Sequence, residues 1–208
     1  MPRPNLPTSR ATATARPASL ALTMLCVAAI AAGCASTQPQ ATGGSTTPLE
    51  PRATVPIPNA RQVDPNLLVG GQPSAAALRT AAAAGYTTDI SLRTAGEPGS
   101  ENEPAEARSA GLRFVSIPVA GADDLTVANA KALGAAMASS EGKVLLHCAS
   151  GNRASALLGL KAFVVDGVDM AAALQLARDA GIGSLEPALE ARMRALCAEG
   201  VGSCPAAP

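Results

Sequence analysis

Lys143-Val-Leu-Leu-His-Cys-Ala-Ser-Gly-Asn-Arg153 is the stretch on which the fold turns. Lys143 to His147 is a short apolar run that follows the polar turn Ser139-Ser-Glu-Gly142, a pattern that predicts a buried strand. The strand delivers Cys148 into a loop of small residues that runs straight into a helix beginning near Arg153. In that arrangement the backbone N–H groups of Ala149, Ser150, Gly151, Asn152 and Arg153 point into one concavity, joined by the positive end of the helix dipole. Arg153 adds a planar fork suited to two oxygens of an anion. The same field lowers the pKa of the Cys148 thiol, which makes it a nucleophile at neutral pH. Gly151 stands where a tight loop most needs freedom from a Cβ. The group is suited to a tetrahedral oxyanion attacked by sulfur.

Outward from this loop, strands and helices alternate. Asn66 to Gly70 reads as a short strand, and Ser74 caps an Ala-rich helix running to about Ala84. Tyr86 to Arg93 and Arg113 to Val119 read as strands, with a short helix from Glu103 to Ala110 between them. Leu125 to Ser139, Arg153 to Val165, Asp169 to Ala180 and Leu185 to Cys197 have helical composition. The expectation is one α/β domain over residues 62–200: three α/β/α layers around a small, mostly parallel sheet, with a tail at 201–208. Sites in such sheets form beyond the carboxyl ends of strands, which is where Cys148 falls.

Composition narrows the partners. The 208 residues carry 16 Lys+Arg and 16 Asp+Glu, a formal charge of +0 that excludes a basic nucleic-acid clamp. Aromatics are limited to one Tyr and two Phe, so the core must be aliphatic and base stacking has no platform. Residues 1–33 hold Arg3, Arg10 and Arg16 without an acid, then an apolar run ending in small residues, the pattern of an export signal. A permanent membrane span is the competing expectation, though the run is short for one. Without that segment 13 basic residues face 16 acidic ones, so the remainder is mildly acidic at −3. Residues 34–61, dense in Thr, Pro, Gly and Ser, read as a solvated tether. Of the five Cys, Cys148, Cys197 and Cys204 fall in the folded part. Cys197 and Cys204 either bridge across a short loop or remain free thiols, and a bridge would leave Cys148 reduced.

Two resemblances extend these readings. Ala31-Ala32-Gly33-Cys34 resembles the bacterial lipoprotein cleavage box, which implies lipidation of Cys34, a membrane anchor through that lipid, and a periplasmic or envelope location. With Ala35 following Cys34, the resemblance implies the outer membrane. His147-Cys148 with its small loop and Arg153 resembles the phosphate loop of the cysteine-dependent protein tyrosine and dual-specificity phosphatases. Val69-Gly-Gly-Gln-Pro-Ser74, Ile90-Ser-Leu-Arg-Thr-Ala-Gly-Glu97, Ile117-Pro-Val119 and HCASGNR, in that order, resemble the beta-lactamase hydrolase-like protein, phosphatase-like domain family. That resemblance implies a phosphatase with a phosphocysteine intermediate on Cys148, phosphate held by Arg153, and an upstream Asp as general acid; no cofactor is expected.

Asp123 and Asp124, after the Ile-Pro-Val segment, are the candidates for that acid, or else an acidic pair favouring the following helix. His147, the only His, either acts as a base or orients the loop through a hydrogen bond. Ser150 or Ser155 could assist the thiolate, and Arg93 and Glu97 either line the pocket or close a turn as an ion pair. One His and no carboxylate cluster at ligand spacing argue against a metal. Cys148 and Arg153 are separated by four residues, where the tyrosine phosphatase loop has five and rhodanese-type sulfurtransferases have four. A phosphatase, a sulfurtransferase and a non-catalytic anion-binding domain therefore stay open, with a phosphorylated protein or small molecule as the expected partner of the first.

Overall fold

The computed structural model describes residues 54–204. The export signal, Cys34 and most of the tether lie outside the described residues. Five strands form one sheet in the order β1-β2-β5-β3-β4. β2 (Leu67–Gly70), β5 (Lys143–His147), β3 (Tyr86–Ser91) and β4 (Arg113–Ser116) run parallel, and β1 (Arg61–Asp64) pairs antiparallel with β2. β5, with Val144, Leu145 and Leu146 all buried, is central because only a strand covered on both faces can be apolar at every position.

Helices cover both faces, as the three-layer expectation required. On one side α1 (Ala75–Ala83) and α2 (Glu103–Ser109) bury Ala77, Leu78, Ala81 and Ala107 against Leu68, Tyr86 and Leu145. On the other, α3 (Val127–Ala138), α4 (Asn152–Val164), α5 (Met170–Asp179) and α6 (Glu186–Ala198) enclose the larger core with Val69, Ile90, Leu146 and Cys148. Alternation along β5 therefore sends His147 to the α1–α2 face and Cys148 to the α4 face.

Local chemistry sets the helix starts. Ser74, Thr126 and Asp169 accept from the N–H of Ala77, Asn129 and Ala172, and α2 and α6 begin with proline in the first turn. α4 has neither device: its N-cap is Gly151 at φ +97°, without a side-chain cap, so its first N–H groups remain for another acceptor.

The structure moves both ends of the domain outward. Val55 and Ile57, read as tether, are buried at 4% and 7% exposure, and β1 begins at Arg61. The missed strand is short and polar, with only Val63 packing inward, so no alternation marks it. At the other end Cys197 and Cys204 are bridged, leaving Cys148 as the free cysteine among the described residues. Ser203 makes an isolated bridge to Asp169, and Gly202 lies so close to Phe163 that an added Cβ would overlap the ring. Residues 201–204 are thus part of the domain and not a tail.

Candidate active site

The loop after β5 is held from outside by its carbonyls. His147 O accepts from Leu92 N at 2.9 Å, and Cys148 O faces His147 Nδ1 at 3.3 Å. Ala149 O accepts from Gln72 N at 3.2 Å, Ser150 O from Asn59 Nδ2 at 2.9 Å, and Gly151 O from Ser155 N at 2.9 Å. Because a planar peptide directs its C=O and N–H to opposite sides, the anchored carbonyls of Ala149 and Ser150 leave the amides of Ser150 and Gly151 facing inward, while the Cys148 N–H donates to Gly70 O at 3.3 Å. The inward amides face Cys148 Sγ, which accepts from Gly151 N at 3.1 Å. Burial alone would raise the Cys148 pKa, but the amides of Ala154, Ser150, Gly151 and Arg153 outweigh it and hold the pKa below the ordinary thiol value. Close approach of two chain segments makes this possible: a Cβ on Gly71 would stand 2.8 Å from Ala149 O.

Arg153 is oriented by Glu97. Its Nη1 and Nη2 donate to Glu97 Oε1 and Oε2, each at 2.7 Å, and Nη1 also donates to Val119 O at 2.8 Å. Glu97 in turn accepts from Thr94 N and Oγ1 and pairs with Arg93 Nε at 2.7 Å. The Arg153 pair pulls the Glu97 carboxyl far below the usual carboxylate range, and Glu97 raises Arg153 in return. Arg93 and Glu97, two alternatives in the sequence, fill both roles: they close the 93–97 turn and they aim the guanidinium.

His147 does not serve as the base. Its ring lies on the opposite face from Sγ, fully buried, with Nε2 at 2.7 Å from Glu103 Oε1 and 3.2 Å from Asp89 Oδ1. Burial pushes its pKa down, but Asp89 and Glu103 more than reverse that and hold it at about 10. Burial raises the Asp89 carboxyl. These three residues offer atoms within 4.8 Å of one another, so the sequence expectation of no carboxylate cluster at ligand spacing is corrected.

The remaining candidates separate. Ser155 Oγ donates to Gly151 O or Ala180 O, so it is not turned to the thiolate. Ser150 is exposed, and its contribution is its backbone. Asn152 uses its side chain to clamp the α5–α6 loop, accepting from Gly183 N at 2.8 Å and donating to Ser184 Oγ. Asp124 Oδ2 accepts from Ala120 N at 2.7 Å, which makes it a brace of its own loop and not a free acid. Nor does the pair cap α3; Thr126 does. Asp123 is exposed in the 3₁₀ turn Ala122–Asp124, and its carboxylate has no hydrogen bond or ion pair among the described residues. That turn follows Val119, whose carbonyl holds Arg153. Sequence reasoning missed Asp89, Glu103 and Asn59.

Comparison with known proteins gives the same picture. A beta-lactamase hydrolase-like protein of Xylella fastidiosa (strain Temecula1) is 40% identical over 109 residues, 50% of this chain and 25% of the relative. This chain thus matches only about a quarter of that relative's length. Among solved structures, a protein described as a phosphatase (DUF442) from Shewanella putrefaciens CN-32 superposes with a TM-score of 0.53 at 28% identity, covering 67% of this chain and 93% of its own. Tk-PTP shares the fold at 17% identity with a TM-score of 0.52, covering 69% and 99%. The family model for the beta-lactamase hydrolase-like protein, phosphatase-like domain matches residues 59–164, from Asn59 beneath the loop to the end of α4 and just over half of the sequence. The chain belongs to that family of phosphatase-like domains.

Proposed function

We propose that this phosphatase-like domain is a metal-independent, cysteine-dependent phosphomonoesterase. The observation that carries the proposal is the convergence of the loop amides on Cys148 Sγ with every carbonyl from His147 to Gly151 anchored outside. The Cys148 thiolate attacks phosphorus, the bond from phosphorus to the ester oxygen breaks, and Asp123 gives that oxygen its proton. Arg153 and the amides that converge on Sγ, those of Ser150, Gly151, Arg153 and Ala154, take the charge of the equatorial oxygens. Water then attacks the phosphocysteine, the P–S bond breaks, and Asp123 recovers a proton as phosphate leaves. Glu97 occupies the Nη1–Nη2 edge of Arg153, which leaves the Nε side of the fork for the anion.

One observation favours a second chemistry. Only four residues separate Cys148 from Arg153, and a ring of amides that short closes directly on sulfur. A sulfurtransferase would use the same thiolate on the outer sulfur of thiosulfate, releasing sulfite and leaving a Cys148 persulfide that passes its sulfur to an acceptor such as cyanide. The two are separated by parallel assays on the chain from residue 35 onward. Hydrolysis of an aryl phosphate, inhibited by vanadate and lost by at least about a thousandfold in Cys148→Ser, supports the phosphatase. Thiocyanate from thiosulfate and cyanide without phosphate release reverses the assignment, and neither product with phosphate still bound marks a binding domain.

Export and anchoring are part of the proposal. The Arg-bearing apolar leader and the small residues before Cys34 support a lipoprotein held at the cell envelope. Mass spectrometry of the mature protein should find a diacylglyceryl group on Cys34, and an intact 1–33 segment would replace the anchor with a span.

A further inference from the structure

Asp89 and Glu103 play no part in the steps above, yet both are buried, at 0% and 1% exposure, directly behind the reactive loop. A carboxylate out of water needs a positive partner or it loses its charge. Arg93 is taken by Glu97, Gln72 and Pro98, so His147 is the cation that faces them.

We propose that Asp89 and Glu103 are positioning residues for Cys148, holding His147 doubly protonated so that its Nδ1–H stays fixed on the Cys148 carbonyl. The geometry asks for two ring protons. Nδ1 lies 3.3 Å from a backbone carbonyl, which can only accept. Nε2 lies between two carboxylate oxygens, which accept when ionised. Fixing the Cys148 carbonyl on the His147 side fixes the first peptide of the loop, from which the chain runs on to the Ser150, Gly151, Arg153 and Ala154 amides that act on the sulfur. With both carboxylates ionised, a neutral imidazole would keep at most one of these two contacts, and the first peptide of the loop would be free to turn.

The groups around the ring are few. β3 presents Asp89 and Ser91, α2 presents Glu103, and β2 presents Gly70, which has no side chain. Ser91 Oγ donates to Glu103 Oε2 at 3.0 Å, fixing that carboxylate in turn. Beyond the loop stand Cys148, Arg153 and Glu97. Ser91 and Glu103 also line a cavity of about 340 Å³ with Arg93 and Phe114.

The inference rests on Cys148 acting as a thiolate, on phosphorus or on sulfur, and its test needs neither activity. His147 is the only histidine of the sequence, so a ¹H–¹⁵N imidazole spectrum of the full chain, made without a histidine tag, reads it without assignment. Both nitrogens should be protonated at about pH 8, well above the ordinary histidine range. A neutral tautomer there overturns the proposal, as does a ring spectrum that changes when a chelator is added, which would give the cage to a metal cation.

The second measurement is the pH dependence of iodoacetamide labelling at the Cys148 peptide, followed by mass spectrometry. Glu103→Gln and Asp89→Asn should raise the midpoint by about one pH unit, Glu103→Asp should restore part of it, and Glu103→Gln should add nothing in a His147→Gln background. Simple removal of buried negative charge near the sulfur has the opposite sign, so an unchanged or lowered midpoint overturns the role. Expected labelling from a wild-type chain that releases no phosphate would remove the phosphatase assignment and leave this inference standing.

Discussion

The loop carrying Cys148 and the loop carrying Asp123 lie side by side on Arg153 and are built in opposite ways. In the first, five consecutive carbonyls have partners, four amides act on one sulfur, and a buried ion cage stands behind them. In the second, Asp124 braces Ala120 while Asp123 stands exposed, without a partner among the described residues. The difference matches the work asked of each. An oxyanion cradle gains from dipoles fixed before the substrate arrives. An acid that must meet leaving groups of different shape, and alternately give and take a proton, gains from freedom.

That contrast breaks if the cradle tolerates change or the acid loop does not. Arg153→Lys, which keeps the charge but loses the fork that Glu97 orients, should lower kcat/KM for an aryl phosphate by about a hundredfold or more. Asp123→Asn should cost about a hundredfold on an alkyl phosphate and far less on an aryl one, whose leaving group needs little protonation. Asp124→Ala sharpens the point: it should lower stability by about 1 kcal/mol through the lost Ala120 contact, with aryl phosphate turnover nearly unchanged. Gly151→Ala, forced to φ +97°, should destabilise by about 1–2 kcal/mol in chemical denaturation and reduce activity as well.

The smallest effect concerns pH. His147 is raised from 6.5 to about 10, so the folded state holds its proton more tightly than the unfolded chain. That stabilisation is complete below the unfolded value of about 6.5 and is lost as pH rises through about 10. Asp89 is raised as well and contributes in the same sense, from lower pH. Glu97 is lowered, so its contribution is present above its ordinary value of 4.5 and lost as pH falls below it. The urea midpoint should therefore decline from about pH 6.5 towards pH 10, and Glu103→Gln should flatten the decline. A midpoint that is flat over this window in the wild type would show that the cage holds no extra proton.

The residues of the cradle are contiguous, and that is why they were legible. A buried strand, a small loop and a helix start lie within Lys143 to Arg153, and the local pattern carries the anion site, as it carried Ser74 and Asp169 as caps. The support around the cradle is assembled by the sheet. Asp89 pairs in register with Leu145 and so falls diagonally beside His147, while Glu103 arrives from a helix on the far side of a loop. In sequence, Asp89 is a polar gap in a strand and Glu103 an ordinary first-turn acid. Asn59 was hidden by its company: Pro56, Pro58 and the Thr-rich text before them read as tether, whereas Val55 and Ile57 are core. The Asp pair read equally as acid or helix start, and only the hydrogen bond from Ala120 separates its two members.

The antiparallel β1 has a bearing on how this protein must be handled. It covers β2, whose four residues are all buried and whose other edge is paired to β5. A fragment begun at residue 65 would bare the outer edge of β2, with a run of unpaired N–H and C=O groups beside Leu67, Leu68 and Val69. Such an edge is a template for a second chain to add itself as a strand. The short polar segment ahead of β2 is therefore a guard against self-association, and solubility should depend on it more steeply than its modest burial suggests.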